Sequence, residues 1–497
     1  MTALHRKLWR ELWGLRGQTL AIALVTASGI AVFVMAVGAV SSLEATRTAF
    51  YERYRFAEVF VSLKRAPERL ADAVRELSGV QTVETRIVAA ADLTVEGFTE
   101  PIQGQLVSLP EHGAPVLNLP HLRSGRMPEP GRLDEALLSE AFAEAHGLRP
   151  GDTLLANLEG KRRRLTVTGT ALSPEYVYAL APGALVPDDQ RYGVVWLPRP
   201  ALAAAFDLDG AFNELSLTLL RGVEPRSVIE PLDRLLDPYG GKGAYARADQ
   251  LSDYFLAQEI EQLRIIAGLL PVIFLAVAVF LLNTVTGRLV AMQREAIGVL
   301  KAFGYTDTEV GLHYVQLVLV MSLPGILIGL SGGVWLAGAL TRLYTQFFRF
   351  PLLQLVIEPW PILAVVVVTL AAALLGSSGA VRAASRLAPA EAMRPPVPAS
   401  YRGLAWLARL RLDQPSLMIL RHLARFPLRG LFSIAGIAAA MGILLVSQHF
   451  LDAVEALLEH ELAVARRYDL AVTFFEPQHE RAVAELSSIT AVLMVEP

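Results

Sequence analysis

The 497-residue sequence contains no cysteine, which excludes disulfides, thiolate metal sites and a cysteine nucleophile and leaves the redox compartment unmarked. No stretch fits the phosphate loop GxxxxGK followed by Ser or Thr. Gly240-Gly241-Lys242-Gly243 has neither the spacing nor the hydroxyl residue. His-Glu-x-x-His and Gly-x-Ser-x-Gly are absent as well. No catalytic, cofactor or metal site is therefore expected in this chain, and any ATP it uses is bound by a partner. A basic surplus is also lacking. The formal net charge of −3 argues against a nucleic-acid partner, which calls for a basic face. With 53% hydrophobic and 19% charged residues, the chain is too apolar for a plain soluble protein and too charged to lie wholly in a membrane. The expected class is an α-helical membrane protein of about five spans with a large water-exposed part.

Residues 1–17 carry Arg6, Lys7, Arg10 and Arg16 against one acid, Glu11, with Trp9 and Trp13 interleaved. They read as an amphipathic helix at the positive face of a membrane. Residues 18–41 hold no charge and are long enough to cross roughly 30 Å of hydrocarbon. That run, and the charged stretch before it, are too long for a cleaved signal peptide. Further apolar runs at 264–287, 310–340, 360–381 and 431–450 complete the expected spans. The linker 382–430 has nine Arg and two acids, Glu391 and Asp413. With residues 1–17 and 288–309, it puts the basic short segments on one side, so the positive-inside rule places the N-terminus in the cytoplasm of a multi-pass cell-membrane protein. Residues 341–359 are then an outer loop.

Residues 42–263 differ in kind. Between 43 and 263 there are 23 Lys and Arg against 32 Asp and Glu, and alternating patterns with recurrent Pro and Gly predict an α+β domain outside the membrane. It opens strand, helix, strand at 58–63, 67–77 and 80–95. A strand at Asp134-Glu135-Ala136-Leu137-Leu138-Ser139 leads into a helix through His146, then a hairpin turning at Gly160. A last strand and helix occupy 212–220 and 225–236. The stripe Leu251, Phe255, Ile260 and Leu263 makes 248–264 a helical stalk that runs into the next span, with a kink predicted at Pro271.

Within the spans, Gly325, Gly329 and Gly333 repeat at four-residue spacing after Pro324 and predict close helix packing, with a hinge at Pro324 as the competing reading. Asn283 is expected to hydrogen-bond to a neighbouring helix. His313, Gln316 and Glu309 read either as a polar relay or as ordinary boundary residues.

The segment 288–309 links two spans. Met292, Ile297, Leu300 and Phe303 share one broad face at helical spacing, Arg294, Glu295 and Lys301 sit elsewhere, Gly304 ends the helix, and Thr306 or Asp307 caps the next. Such a helix either docks a partner or merely connects the spans. Asn283-Thr284, Arg294-Glu295-Ala296-Ile297-Gly298 and Lys301-Ala302-Phe303-Gly304-Tyr305, followed by Pro389-Ala390-Glu391-Ala392-Met393-Arg394 after the fourth span, resemble FtsX-like ABC-transporter permeases. One departure is Gly287-Arg288, where the family often has an acid-arginine pair. The layout of 42–263 is similar to the MacB-like extracytoplasmic core domain carried by many such permeases.

The resemblance implies a non-catalytic permease subunit. Its partners would be a cytoplasmic ABC ATPase dimer, membrane lipids and a periplasmic or extracellular protein. Arg294, Glu295, Ile297, Gly298, Lys301 and Gly304 would lie at the ATPase contact, and movement would pass through the stalk to cargo such as a lipid, lipoprotein, peptide or drug. It equally allows a membrane-anchored scaffold that regulates a cell-wall enzyme. Finally, Leu420-Arg421-His422-Leu423-Ala424-Arg425 repeats features of the N-terminus, and Tyr468-Asp469-Leu470-Ala471-Val472 repeats the first strand, at an offset of about 410 residues. The spacing marks a duplicated domain rather than a solenoid. The expectation is a second copy cut short within 451–497, the alternative a short outer appendage.

Overall fold

The computed structural model describes residues 3–184, 186–352, 354–386, 413, 416, 420, 427–460, 479–490 and 492–495. The motif at 389–394 and the repeat stretches at 421–425 and 468–472 lie outside the described residues. The chain forms two compact units, Met1–Pro398 and Ala399–Pro497. The described part of the second comprises a long helix, Pro427–Glu459, and a short one, Arg481–Ser487.

In the first unit, α1 (Ala3–Gly14) turns at Leu15 into α2 (Arg16–Arg53). Helix α2 outlasts the uncharged run of 18–41. Its added turns stay helical because Leu43, Phe50 and Tyr51 are buried against the domain that follows. Among the described residues, four helices are long and apolar enough to cross a membrane: α2, α7 (Leu251–Met292), α9 (Asp307–Phe347) and α10 (Pro359–Arg386). Helix α7 runs through Pro271 without interruption. Its 42 residues span about 63 Å at the helical rise.

Two sheets form the domain between α2 and α7. The first is wholly antiparallel, with β1 (Val59–Pro67), β2 (Val80–Arg86), β10 (Ala211–Leu219) and β11 (Tyr245–Ala246) in the order β11-β1-β10-β2. The helices α3 (Leu70–Arg75) and α6 (Pro225–Leu236) pack Val74, Val228 and Leu232 onto its Val61, Phe212 and Leu215. The second sheet contains β3 (Val88–Thr94), β4 (Ile102–Leu109), β6 (Glu135–Ser139), β7 (Thr153–Leu158), β8 (Lys161–Leu172) and β9 (Tyr192–Pro198). It closes on itself because the long β8 pairs β7 along its first half and β6 along its second. The strand β5 (His121–Gly125) lies outside, on β8. The short helices α4 (Glu140–His146) and α5 (Arg199–Ala205) complete it.

The stretch 80–95 is two strands in different sheets, not one. Arg86 ends β2 and Val88 begins β3, while Asn213 of β10 accepts from the Val88 backbone N–H at 2.8 Å and donates to its carbonyl at 2.7 Å. That side chain satisfies the backbone where the chain changes sheets. Alternation continues across the junction, so the sequence carries no break signal there.

Helices α9 and α2 meet along a seam of small residues. A Cβ on Gly325 would lie 2.8 Å from the Ala23 carbonyl, one on Gly329 2.7 Å from Ile30 Cβ, and one on Gly333 2.7 Å from Val34 Cβ. The four-residue spacing puts all three on the contact, and absent side chains let the backbones approach. Asn283, by contrast, is exposed on α7. The packed stripe of that helix runs through Ala278, Leu282, Thr286 and Leu289, which leaves Asn283 on another face.

Gly329→Val forces the backbones apart and should destabilise the folded protein by about 1–3 kcal/mol. Gly332→Ala, where an added Cβ meets nothing within 4 Å, should leave it unchanged. Thermal unfolding in detergent separates the two; equal melting temperatures would show that the seam is not a contact the fold depends on.

Candidate functional site

At the end of the bundle away from the β-rich domain, α7 stops because Gln293 leaves the helical region, at φ −99° and ψ 17°. A nine-residue helix, α8 (Arg294–Ala302), follows. Gly304 takes φ +94°, a conformation that other residues adopt only under strain, and turns the chain. Thr306 then caps α9 with a capping box. Its hydroxyl accepts from the Glu309 N–H, and its own N–H donates to the Glu309 carboxylate at 2.8 Å.

The break at Gln293 redistributes the residues of this segment. Ile297 is fully buried and Gly298 is buried beside it, packed with Leu8 of α1 and Val310 and Tyr314 of α9. Met292 and Phe303, expected on the same face as Ile297, are 74% and 81% exposed. Met292 belongs to α7 and Phe303 is the cap beyond α8, so neither lies on the wheel that orients Ile297. Lys301 is turned inward, its side chain only 6% exposed and its ammonium 2.7 Å from Asp307. Arg294 is half-buried, Leu300 likewise, and Glu295 and Gly304 are exposed. The outer surface is therefore made by Met292, Glu295, Val299 and Phe303, an apolar patch edged by an acid. Large exposed apolar side chains grouped in this way mark an interaction surface.

Behind that surface lies a polar cluster that periodicity did not reveal. Lys7 pairs with Glu11 one turn on along α1 and donates to Gln293 Oε1 at 2.8 Å. Tyr314 Oη donates to the same oxygen at 3.1 Å, and His313 Nε2 lies 2.9 Å from Glu11 Oε2. Glu11 and His313 are 8% and 3% exposed. Burial pushes the Glu11 carboxyl up, but hydrogen bonds and charge from His313 and Lys7 outweigh it, and its pKa lies below the ordinary value of 4.5. Of the two readings of His313, Gln316 and Glu309, the relay among them does not form, because His313 faces α1 and Glu309 is used in the cap. The one signal in the sequence was Glu11 itself, a lone acid in a basic segment.

At its other end, α7 is rooted in the β-rich domain. Gln250 and Ser252 donate to the Glu175 carbonyl at 2.8 and 2.7 Å, and Arg47 of α2 grips Asp253 through two bonds at 2.9 and 2.8 Å. The Glu175 carboxylate holds Arg86 at 2.5 and 2.7 Å, and Arg86 also binds Glu214. Burial opposes the Arg86 charge, yet the two carboxylates raise its pKa well above the ordinary value. The junction of the two sheets is thus tied through one residue, Glu175, to the root of α7.

A model of the family described as FtsX-like permease C-terminal matches residues 268–389, and one described as MacB-like periplasmic core domain matches residues 19–233. Among solved structures, the chain is similar to the extracellular domain of the noncanonic ABC-type transporter YknZ from Gram-positive bacteria. That match has 13% identity, covers 38% of this chain and 98% of that one, and has a TM-score of 0.27. It is also similar to the periplasmic region of MacB from Actinobacillus actinomycetemcomitans, at 12% identity, covering 42% of this chain and 95% of that one, with a TM-score of 0.27. No curated protein matches.

The division between inward and outward residues predicts separable effects. Ile297→Ala should cost about 2–5 kcal/mol of stability, whereas Glu295→Ala should change it by less than about 0.5 kcal/mol; denaturation of the purified protein measures both. The depressed Glu11 pKa predicts an acid limb. Its contribution is present above pH 4.5 and is lost as the pH falls through the lowered folded-state value. Melting curves taken from neutral pH downward should therefore fall less steeply in Glu11→Gln.

Proposed function

Because this chain belongs to the FtsX-like ABC permeases with a MacB-like periplasmic core domain, we propose that a separate cytoplasmic ATPase drives it through α8. The N-terminus and α8 lie in the cytoplasm and the β-rich domain lies outside, as the basic short segments at 1–17 and 288–309 require. The cargo is a lipid, lipoprotein, peptide or drug handled at the outer face.

The observation that carries this reading is the single helix α7. It joins the Glu175 anchor in the outer domain to the break at Gln293 as one continuous helix, which Pro271 does not end although it removes one bond of the ladder. A helix this long, held at both ends by polar contacts, moves as a lever and not as a tether. Closure of an ATPase dimer beneath the Met292, Val299 and Phe303 surface displaces α8, and α7 carries that displacement to the two-sheet domain. Glu295 contributes charge at the contact. Ile297, Gly298 and Lys301 act from behind it, by fixing how α8 sits on the bundle.

The test is the ATPase rate of candidate ABC ATPases with and without this chain reconstituted in lipid. The wild type should stimulate turnover. Replacing Arg294 and Glu295 together by Ala should reduce that stimulation by about tenfold, on the order of 1.4 kcal/mol, while insertion is retained. Full stimulation by the double variant would remove α8 from the contact, and none by the wild type with any candidate would overturn the reading.

A further inference from the structure

The residue at which α7 becomes α8 is bonded to both helices through its backbone, its N–H to the Leu289 carbonyl and its carbonyl to the Ile297 N–H, each at 2.9 Å, while its side chain is held from elsewhere. Gln293 is the C-cap of one and precedes the other, and its side-chain oxygen receives two bonds from elsewhere: Lys7 Nζ of α1 at 2.8 Å and Tyr314 Oη of α9 at 3.1 Å. Lys7 is in turn pinned by Glu11, whose second oxygen is 2.9 Å from His313 Nε2. The Lys7 ammonium also sits 5.6 Å above the Tyr314 ring. The Lys7 ammonium, both Glu11 oxygens, the Gln293 oxygen and the Tyr314 hydroxyl are all engaged within this cluster, and Leu8 of the same helix packs into the core that covers Ile297.

The opposite face of α1 presents Trp9 and Trp13, 61% and 77% exposed, with Arg6 and Arg10. Those residues suit the interface of a bilayer. The helix therefore has one face for lipid and one for the hinge.

From this geometry we infer that Lys7 and Glu11 are positioning residues for α8: α1 clamps Gln293 and so sets the angle at which α8 leaves α7. The inference rests on the reading of α8 as the ATPase-coupling helix, but the clamp itself is a statement about position. At the break the two helices are joined through the backbone of Gln293 itself, whose N–H donates to the Leu289 carbonyl at 2.9 Å and whose carbonyl accepts from the Ile297 N–H at 2.9 Å, and the bonds from Lys7 and Tyr314 to its side chain limit the change of angle that these two leave open. Without those side-chain bonds, a displaced α8 reaches α7 as a change of hinge angle and is lost before it reaches the outer domain.

The absence of native cysteine allows clean spin labelling of the full chain in lipid. One label replaces Leu269, exposed on α7, and the other Ala302, exposed at the end of α8, and their separation is read by pulsed electron resonance without any ATPase. Lys7→Met and Gln293→Leu should each broaden and shift the distance distribution. They should also reduce ATPase stimulation about fivefold, with the double variant no worse than Gln293→Leu alone, because that change already removes the bond that Lys7 makes. Gln293→Glu, which keeps an acceptor for Lys7 and Tyr314, and Arg10→Met, on the lipid face, should behave as the wild type.

An unchanged distribution in Lys7→Met and Gln293→Leu would overturn the clamp whatever the ATPase does. So would a Gln293→Leu protein that fails to fold while Gln293→Glu folds, since the bond would then serve assembly and not position. A shifted distribution with no ATPase stimulated by the wild type leaves the clamp standing and removes the transporter reading instead.

Discussion

The close approach of α9 to α2 is the contact on which the arrangement of this protein rests. In hydrocarbon there is no hydrophobic force to bring helices together, so association depends on how near the backbones come. Gly325, Gly329 and Gly333 remove the side chains that would keep α9 away from Ala23, Ile30 and Val34. With α9 fixed on α2, its first turns bring His313 and Tyr314 beneath α1. Beyond its last turn, Phe348 and Phe350 pack with Phe50 of α2 and Ile260 of α7. Both ends of the bundle are therefore built on one seam.

At each end of α7 the protein buries charge, though by different means. Outside the membrane, Arg86 is held between Glu175 and Glu214 at the junction of the two sheets. At the other end, Lys7, Glu11 and His313 surround Gln293. Buried ionic groups add little net stability over an apolar core, but once in place each tolerates only the geometry that satisfies all of its partners. Their positions match the two places where a long helix would otherwise be free to change direction. The apolar middle of α7 has no such device; it stays helical through Pro271, where one bond of the ladder is missing, because the remaining backbone groups are bonded within the helix.

The surface offered by α8 is small, and its composition follows from the hinge. The chain leaves α7 at Gln293 in a non-helical conformation and leaves α8 at Gly304 in a left-handed one. Met292 and Phe303 flank the two breaks and are thrown outward, while Ile297 between them is turned into the core. A continuous helix through 288–309 would have presented a different set of residues. The function assigned to this segment thus depends on two backbone conformations as much as on its side chains.

Much of this was legible in the sequence, for a local reason. Spans are set by runs of apolar residues about the thickness of a bilayer, basic segments mark a side, and the stripe from Leu251 to Leu263 continues in phase into the next apolar run. The glycine spacing and the motifs around Arg294 and Lys301 are equally local. Only the tertiary structure decided the rest. The pairing of His313 with Glu11 spans 302 positions, and nothing in the periodicity of either helix points to the other. The strand expected at 80–95 divides at Ile87 because Asn213, far along the chain, satisfies Val88 there. Closure of the second sheet depends on β8 pairing β6 on one edge and β7 on the other. Periodicity reports which face of an element is apolar, whereas the direction taken at Gln293, and hence which residues α8 exposes, was set by contacts between segments that the sequence keeps apart.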